Sequence, residues 1–301
     1  MKKRWLISAL LLAMAAQAQE GGEPPVQVLR QRLAERLSGK DEGGLKISPR
    51  EAGRGKAKAE SRADAKAGAA KKGGHGHWGY AGDVGPEHWA DLAPENKLCA
   101  AGSRQSPIDI RDGIAVDLER IAFDYRPGGF AVLDNGHTIQ VNVESGNALT
   151  VMGRRYELQQ FHFHRPSEER INGRAYDMSV HLVHKDAEGR LAVIAVLLER
   201  GRDQPVVQTV WNNLPLERGE ALPAQVQLDP AQLLPGDKGY YTYYGSLTTP
   251  PCTEGVLWMV MRQPVQASTQ QLGIFQRLYP MNARPVQPTA GRLIKESAGS
   301  P

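Results

Sequence analysis

Long apolar runs are scarce in this sequence. Beyond residue 18, no segment stays apolar over enough length to cross a membrane. No internal repeat is present, which argues against a solenoid or a propeller. Convincing helical patterns are few, and "STQQLGIFQRLY" is the best of them. Cysteine is limited to 2 of 301 residues, enough for one disulfide. Histidine is limited to 8, yet four of these lie between Gln160 and Lys185, in "QFHFHRPSEERINGRAYDMSVHLVHK".

The chain opens with Lys2, Lys3 and Arg4, followed by an apolar stretch from Leu6 to Ala16 and a small-x-small site at Ala16-Gln17-Ala18. That pattern predicts a secretory signal peptide over residues 1–18, with an uncleaved anchor as the alternative. Residues 19–76 read as a basic low-complexity linker. Within it, Val26, Leu29, Leu33 and Leu37 fall on one stripe, which predicts a short helix over residues 26–38. The rest, as in "KAKAESRADAKAGAAKKGG", has no large apolar side chains to offset its ordering entropy.

The linker holds 13 Lys/Arg against 8 Asp/Glu, and the leader adds three positive charges, while the whole chain is only +4; residues 77–301 therefore carry a net −4. The basic character belongs to the leader and linker. The basic run lacks interleaved aromatics, and export also argues against nucleic acid as a partner. Electrostatic contact of the linker with an anionic cell envelope is compatible with its charge. A periplasmic or secreted location follows from the leader, and a disulfide persists there.

Residues 77–301 have the size of one globular domain. "FAVLDNGHTIQVNV" contains two β-rich runs around Asp134-Asn135-Gly136, a turn signal. "LAVIAVLLERG" suits a strand buried on both faces, and "YELQQFHFH" and "MSVHLVH" suggest strands with alternating faces. The expected fold is mainly β (α+β), a single domain with a large, mostly antiparallel twisted central sheet and short peripheral helices.

On a strand, residues two apart share a face. His162 and His164 therefore project to one side, about 6–7 Å apart along the strand, with Phe161 and Phe163 on the other. A third imidazole could come from His181 or His184. These two differ by an odd number and face opposite ways, and spacing alone does not choose between them. A lone HxH is a weak signal, since most histidines are packed or on the surface. Three neutral imidazoles suit Zn2+, with copper and nickel as alternatives, and three protein ligands leave a fourth position open for catalysis.

In order along the chain stand "HWGY", "GPEHW", "QSPIDI", "NGHTIQV", "QFHFHRPSE", "HLVH", "YGSLTTPPCTEGVLW" and "MNARPVQP". Over about residues 77–295 the sequence resembles the α-class carbonic anhydrases, bacterial and exported members in particular. The resemblance implies a zinc lyase that reversibly hydrates carbon dioxide to bicarbonate and a proton by attack of zinc-bound hydroxide. It implies His162, His164 and His181 as the zinc ligands, with His184 turned away as a core histidine, and a conical cleft over the site.

The same resemblance implies further roles. Thr248 would orient the hydroxide and donate to Glu168. Val183, Val193, Leu247 and Trp258 would form an apolar wall for carbon dioxide, with Thr249 lining the cleft. His137 would shuttle the proton, and Tyr80, Asn135 and Gln140 would hold its waters. His75 and His77 are surface histidines that could assist. Gln160 and the backbone of Asn282 would hold the first and second ligands. Cys99 and Cys252 would form a disulfide. Esterase activity toward activated esters would be a side reaction, and a homodimer is compatible with the resemblance.

This sequence departs from the family at the third ligand. Family members usually carry a glutamate two residues before it, where this chain has Ser179, and often a histidine after the cleft glutamate, where it has Glu169. Either the Glu169 carboxylate replaces the missing one, or the site is weakened. The competing readings are a non-catalytic relative kept for adhesion or bicarbonate binding, and a zinc-storage module. Retention of all three histidines with Thr248 and Glu168 favours the enzyme.

Overall fold

The alternating patterns between Phe130 and Met261 become strands of a 13-stranded sheet in a computed structural model that describes residues 77–298. The leader, the linker and the helix expected over residues 26–38 lie outside the described residues. The strands that build the site are β1 (Phe130–Asp134), β2 (Ile139–Val143), β3 (Arg154–His164), β4 (Met178–Lys185), β5 (Leu191–Arg200), β6 (Tyr240–Ser246) and β7 (Glu254–Met261). They lie side by side in the order β1-β2-β3-β4-β5-β7-β6. Every neighbouring pair in this run is antiparallel except β5 and β7. The long connection that a parallel pair requires includes the helix α1 (Pro205–Asn212).

Each face of the sheet packs its own core. On one face Phe161, Phe163, Val180, Leu182, Ile194 and Val196 pack against Trp211 of α1 and Phe275 of α2 (Thr269–Leu278). On the other face stand Val193, Ala195, Leu197, Tyr243, Trp258 and Val260. β5 contributes to both, so its apolar run is continuous, as expected of a strand covered on both sides.

α2 is the helix read from "STQQLGIFQRLY". Ser268 and Gln271 close a capping box at its start. α1 was not legible, because its Val-rich sequence reads as strand. It is held instead by a proline in its first turn and by the Gln204 side chain, which accepts from the Val206 and Val207 N–H groups.

One irregularity decides what the site contains. The pairing of β3 with β4 shifts between Leu158 and Gln160, leaving Gln159 bulged and exposed. Before the bulge, the even residues Tyr156 and Leu158 enter the helix-side core; after it, the odd residues Phe161 and Phe163 do. The bulge therefore turns Gln160, His162 and His164 together onto the opposite face.

Candidate metal centre

Register selects the third histidine. His162 of β3 lies directly opposite His181 of β4, and opposed residues share a face. His184 lies opposite Leu158 and belongs to the other face, where its Nε2 meets the Tyr125 hydroxyl at 2.5 Å under a stacked ring. Burial drives His184 down to about 3 and keeps it neutral. Only the odd member of the "HLVH" pair joins the cluster.

The three rings of His162, His164 and His181 place one nitrogen each within 4.8 Å of one another. On each ring the other nitrogen is occupied. His162 Nδ1 is 2.9 Å from Gln160 Oε1. His164 Nδ1 donates to the Asn282 carbonyl at 2.8 Å. His181 Nε2 is 3.1 Å from Glu169 Oε2 and 3.5 Å from Ser179 Oγ. The remaining nitrogens are Nε2 of His162, Nε2 of His164 and Nδ1 of His181. His164 Nε2 is buried and makes no hydrogen bond among the described residues.

Electrostatics favours a neutral ring, with its lone pair free, at His162 and His164, and acts the other way at His181. Burial, then the neighbouring His181, drives His162 down to about 3. Burial, then His181 and His162, holds His164 well below the usual imidazole range. For His181 burial also lowers basicity, but the Glu169 charge and hydrogen bond, with Glu168, outweigh it and the net direction is upward. Convergent imidazoles with an orphaned buried nitrogen fit a borderline-soft cation such as zinc.

Glu168 is fully buried beside the cluster. Its Oε1 accepts from the Arg284 N–H at 2.8 Å, and its Oε2 lies 3.5 Å from His164 Nε2. Burial pushes Glu168 up to about 7, against the pull of His181, the Arg284 N–H and the Thr248 hydroxyl. Thr248 is buried in the turn after β6, and the Cys252 N–H closes that turn on the Thr249 carbonyl at 2.9 Å. Cys252 is bonded to Cys99, 153 residues away in sequence.

The apolar wall and the outer histidine follow the sheet. Val183, Val193 and Trp258 form one row across β4, β5 and β7. Leu247 packs against the same cluster, and the Trp258 ring lies 5.0 Å from that of His181, edge on. His137 sits in the turn between β1 and β2, where Asn135 Oδ1 accepts from the N–H groups of His137 and Thr138. Trp78 stacks flat on its ring at 3.7 Å, and the His77 ring lies 5.9 Å away. Burial, then His77 and Arg218, lowers the His137 pKa. His75 lies outside the described residues.

Asn135 donates to Gln140 Oε1 at 3.3 Å, and Gln140 donates to Asn142 Oδ1 at 2.7 Å, a short amide chain on the site face of β2. Tyr80 is raised well above the usual phenol range by burial and by the Glu168 charge.

The sequence reading left out two participants, Asn142 and Arg284, and the side-chain role of Asn282. Asn142 continues the amide chain, and its even position on β2 beside Gln140 could have found it. The Asn282 side chain donates to the His137 and Phe163 carbonyls, tying the outer turn to β3. The guanidinium of Arg284 is buried against Trp89 and donates to Gln105 Oε1 and to the carbonyls of Ser106 and Cys99.

Comparison with known proteins places these features in a family. The model of the eukaryotic-type carbonic anhydrases matches residues 84–298. The chain is 44% identical over 230 residues to a carbonic anhydrase of Neisseria gonorrhoeae, covering 76% of this chain and 91% of that protein. It is 42% identical over 227 residues to one of Nostoc sp., covering 73% and 86%. Among solved structures, the α-carbonic anhydrase of Thermovibrio ammonificans in complex with sulfanilamide is similar with a TM-score of 0.72 and 43% identity, over 74% of this chain and all of that one.

Proposed function

This chain belongs to the α-carbonic anhydrase family of lyases, and on that premise we propose that it is a zinc enzyme for the reversible hydration of carbon dioxide, with His137 as its proton shuttle. The observation that carries the proposal is the convergence of three imidazole nitrogens whose partner nitrogens are already held. His162, His164 and His181 would hold the ion. When bound, zinc acts as a Lewis acid and lowers the pKa of water in its open position to about 7, a magnitude for which carbonic anhydrase is itself the standard case.

The chain's own residues do the rest. Thr248 is buried beside Glu168 and would donate its hydroxyl hydrogen to that carboxylate, leaving its lone pairs to accept from a solvent oxygen at the open position and orient it. Carbon dioxide is small and nonpolar, and the row Val183, Val193 and Trp258, with Leu247, offers it contact without competing hydrogen bonds. Thr249 lines the approach. His137 has a pKa below the ordinary imidazole value, so it is neutral and ready to take a proton in neutral solution. Asn135, Gln140 and Tyr80 present polar groups along the way to it.

The same site would support slow hydrolysis of activated esters. The leader over residues 1–18 and the Cys99–Cys252 bond support an exported protein, with residues 19–76 as its basic spacer. No helix among the described residues is long and apolar enough to cross a membrane. A stopped-flow pH-indicator assay tests the proposal. Hydration should disappear with a zinc chelator, return with added zinc and be blocked by a sulfonamide. Hydration that persists in the chelator, or none with zinc bound, would overturn it.

A further inference from the structure

Building on the zinc reading above, we infer that Glu169 is the positioning residue for the third ligand, and that the carboxylate it provides can be moved to position 179 without losing the site. Gln160 and Asn282 hold their imidazoles with neutral oxygens. His181 alone is held by a carboxylate, 3.1 Å from its Nε2. A carboxylate there fixes the Nε2–H tautomer, turns Nδ1 to the centre and raises the ring's basicity toward a cation.

Among the described residues, the Glu169 carboxylate has its hydrogen-bond partner in His181. It is fully buried, and its Oε1 makes no hydrogen bond among the described residues. A buried carboxylate is retained where a partner compensates its desolvation, and the side-chain partner here is His181. The backbone at this position is set independently, since the Ser167 hydroxyl donates to the Glu169 carbonyl at 2.9 Å.

Ser179 marks the second address. It lies on β4 two residues before His181, on the same face, opposite His164. Its hydroxyl is 3.5 Å from the same Nε2, at the outer limit of a hydrogen bond. Serine is too short to replace the carboxylate, while a glutamate there has two more carbons with which to reach that nitrogen once position 169 is cleared.

The test is a set of full-length variants measured for zinc affinity by chelator competition, with zinc alone as the probe. E169Q keeps an acceptor but loses the charge, and should weaken zinc binding about 10-fold; E169A loses both, and should weaken it about 100-fold. The double variant E169A/S179E should recover most of the loss, which a purely structural role for Glu169 would not allow.

Nitrogen NMR of the zinc-stripped protein gives a second readout. At a pH high enough to keep the ring neutral, His181 should carry its proton on Nε2 in the parent and in E169A/S179E, and on a mixture of nitrogens in E169A. If E169A does not fold, the E169Q affinity and spectrum decide. Parent-like zinc affinity in E169Q and E169A, or a folded E169A/S179E with no recovery, would overturn the inference. A parent chain that binds no zinc would instead overturn the proposed function.

Discussion

A threonine hydroxyl facing a buried carboxylate has one direction in which to donate, and so presents a lone pair the other way. Removing that hydroxyl in T248A should lower kcat/KM for hydration on the order of 100-fold, the cost of losing one aligned contact at the reacting atoms. Zinc content should not change, and T248S should keep most of the rate. Parent-like hydration in T248A would remove Thr248 from the mechanism. His137 carries a second expectation at this scale. Arg218 is one cause of its lowered pKa, after burial and His77. Loss of a cation favours the protonated ring, so R218Q should raise the His137 pKa. The pH limb of kcat assigned to the shuttle should then move to higher pH, and an unmoved limb would separate Arg218 from the shuttle. The side chains that the structure gathers at the site were largely legible at this scale, because His162, His164, Glu168 and Thr248 sit in motifs with a distinctive order. The neighbours that hold them were less so. Arg284 reaches Gln105 and Cys99 across more than half of the domain, a contact that no local spacing announces.

At the scale of elements, the site depends on the parity of β3 and its register with β4. Alternation predicted that His162 and His164 share a face, and they do. It could not choose between His181 and His184, because the choice depends on which residue of β4 stands opposite His162. The bulge at Gln159 was likewise invisible, although it alone reconciles Tyr156 and Leu158 with Phe161 and Phe163 in one core. α1 was missed because β-branched residues dominate its buried face, while its capping by Gln204 needs three-dimensional contact. Behind the histidines, Phe163 ties β3 to both helices through Trp211 and Phe275, with ring centroids 4.9 and 5.9 Å away. F163A should cost about 3–5 kcal/mol of stability. S268A should cost about 1 kcal/mol by uncapping α2. Urea unfolding at equal protein concentration checks both, and a loss from F163A no larger than that from S268A would contradict this ranking of core over cap.

On the scale of the whole molecule, sheet, turn and disulfide converge on one small region. The Cys99–Cys252 bond joins the segment before the sheet to the turn that follows Thr248, with most of the domain between them. Replacing both cysteines by serine should cost about 2–5 kcal/mol of stability. A denaturant midpoint shared by the parent and the double variant would show that the bond adds nothing. The charge division along the chain belongs to this scale too, since the excess of lysine and arginine lies before residue 77 and leaves residues 77–301 mildly acidic. All of these levels serve one claim, that three imidazoles from adjacent strands hold a single zinc ion that makes hydration of carbon dioxide fast. Stepwise addition of zinc to the stripped protein, followed by stopped-flow hydration, tests it most directly. The rate should rise linearly and break at one equivalent, with no such break in H164A; a rate independent of added zinc, or an H164A variant that behaves as the parent does, would contradict it.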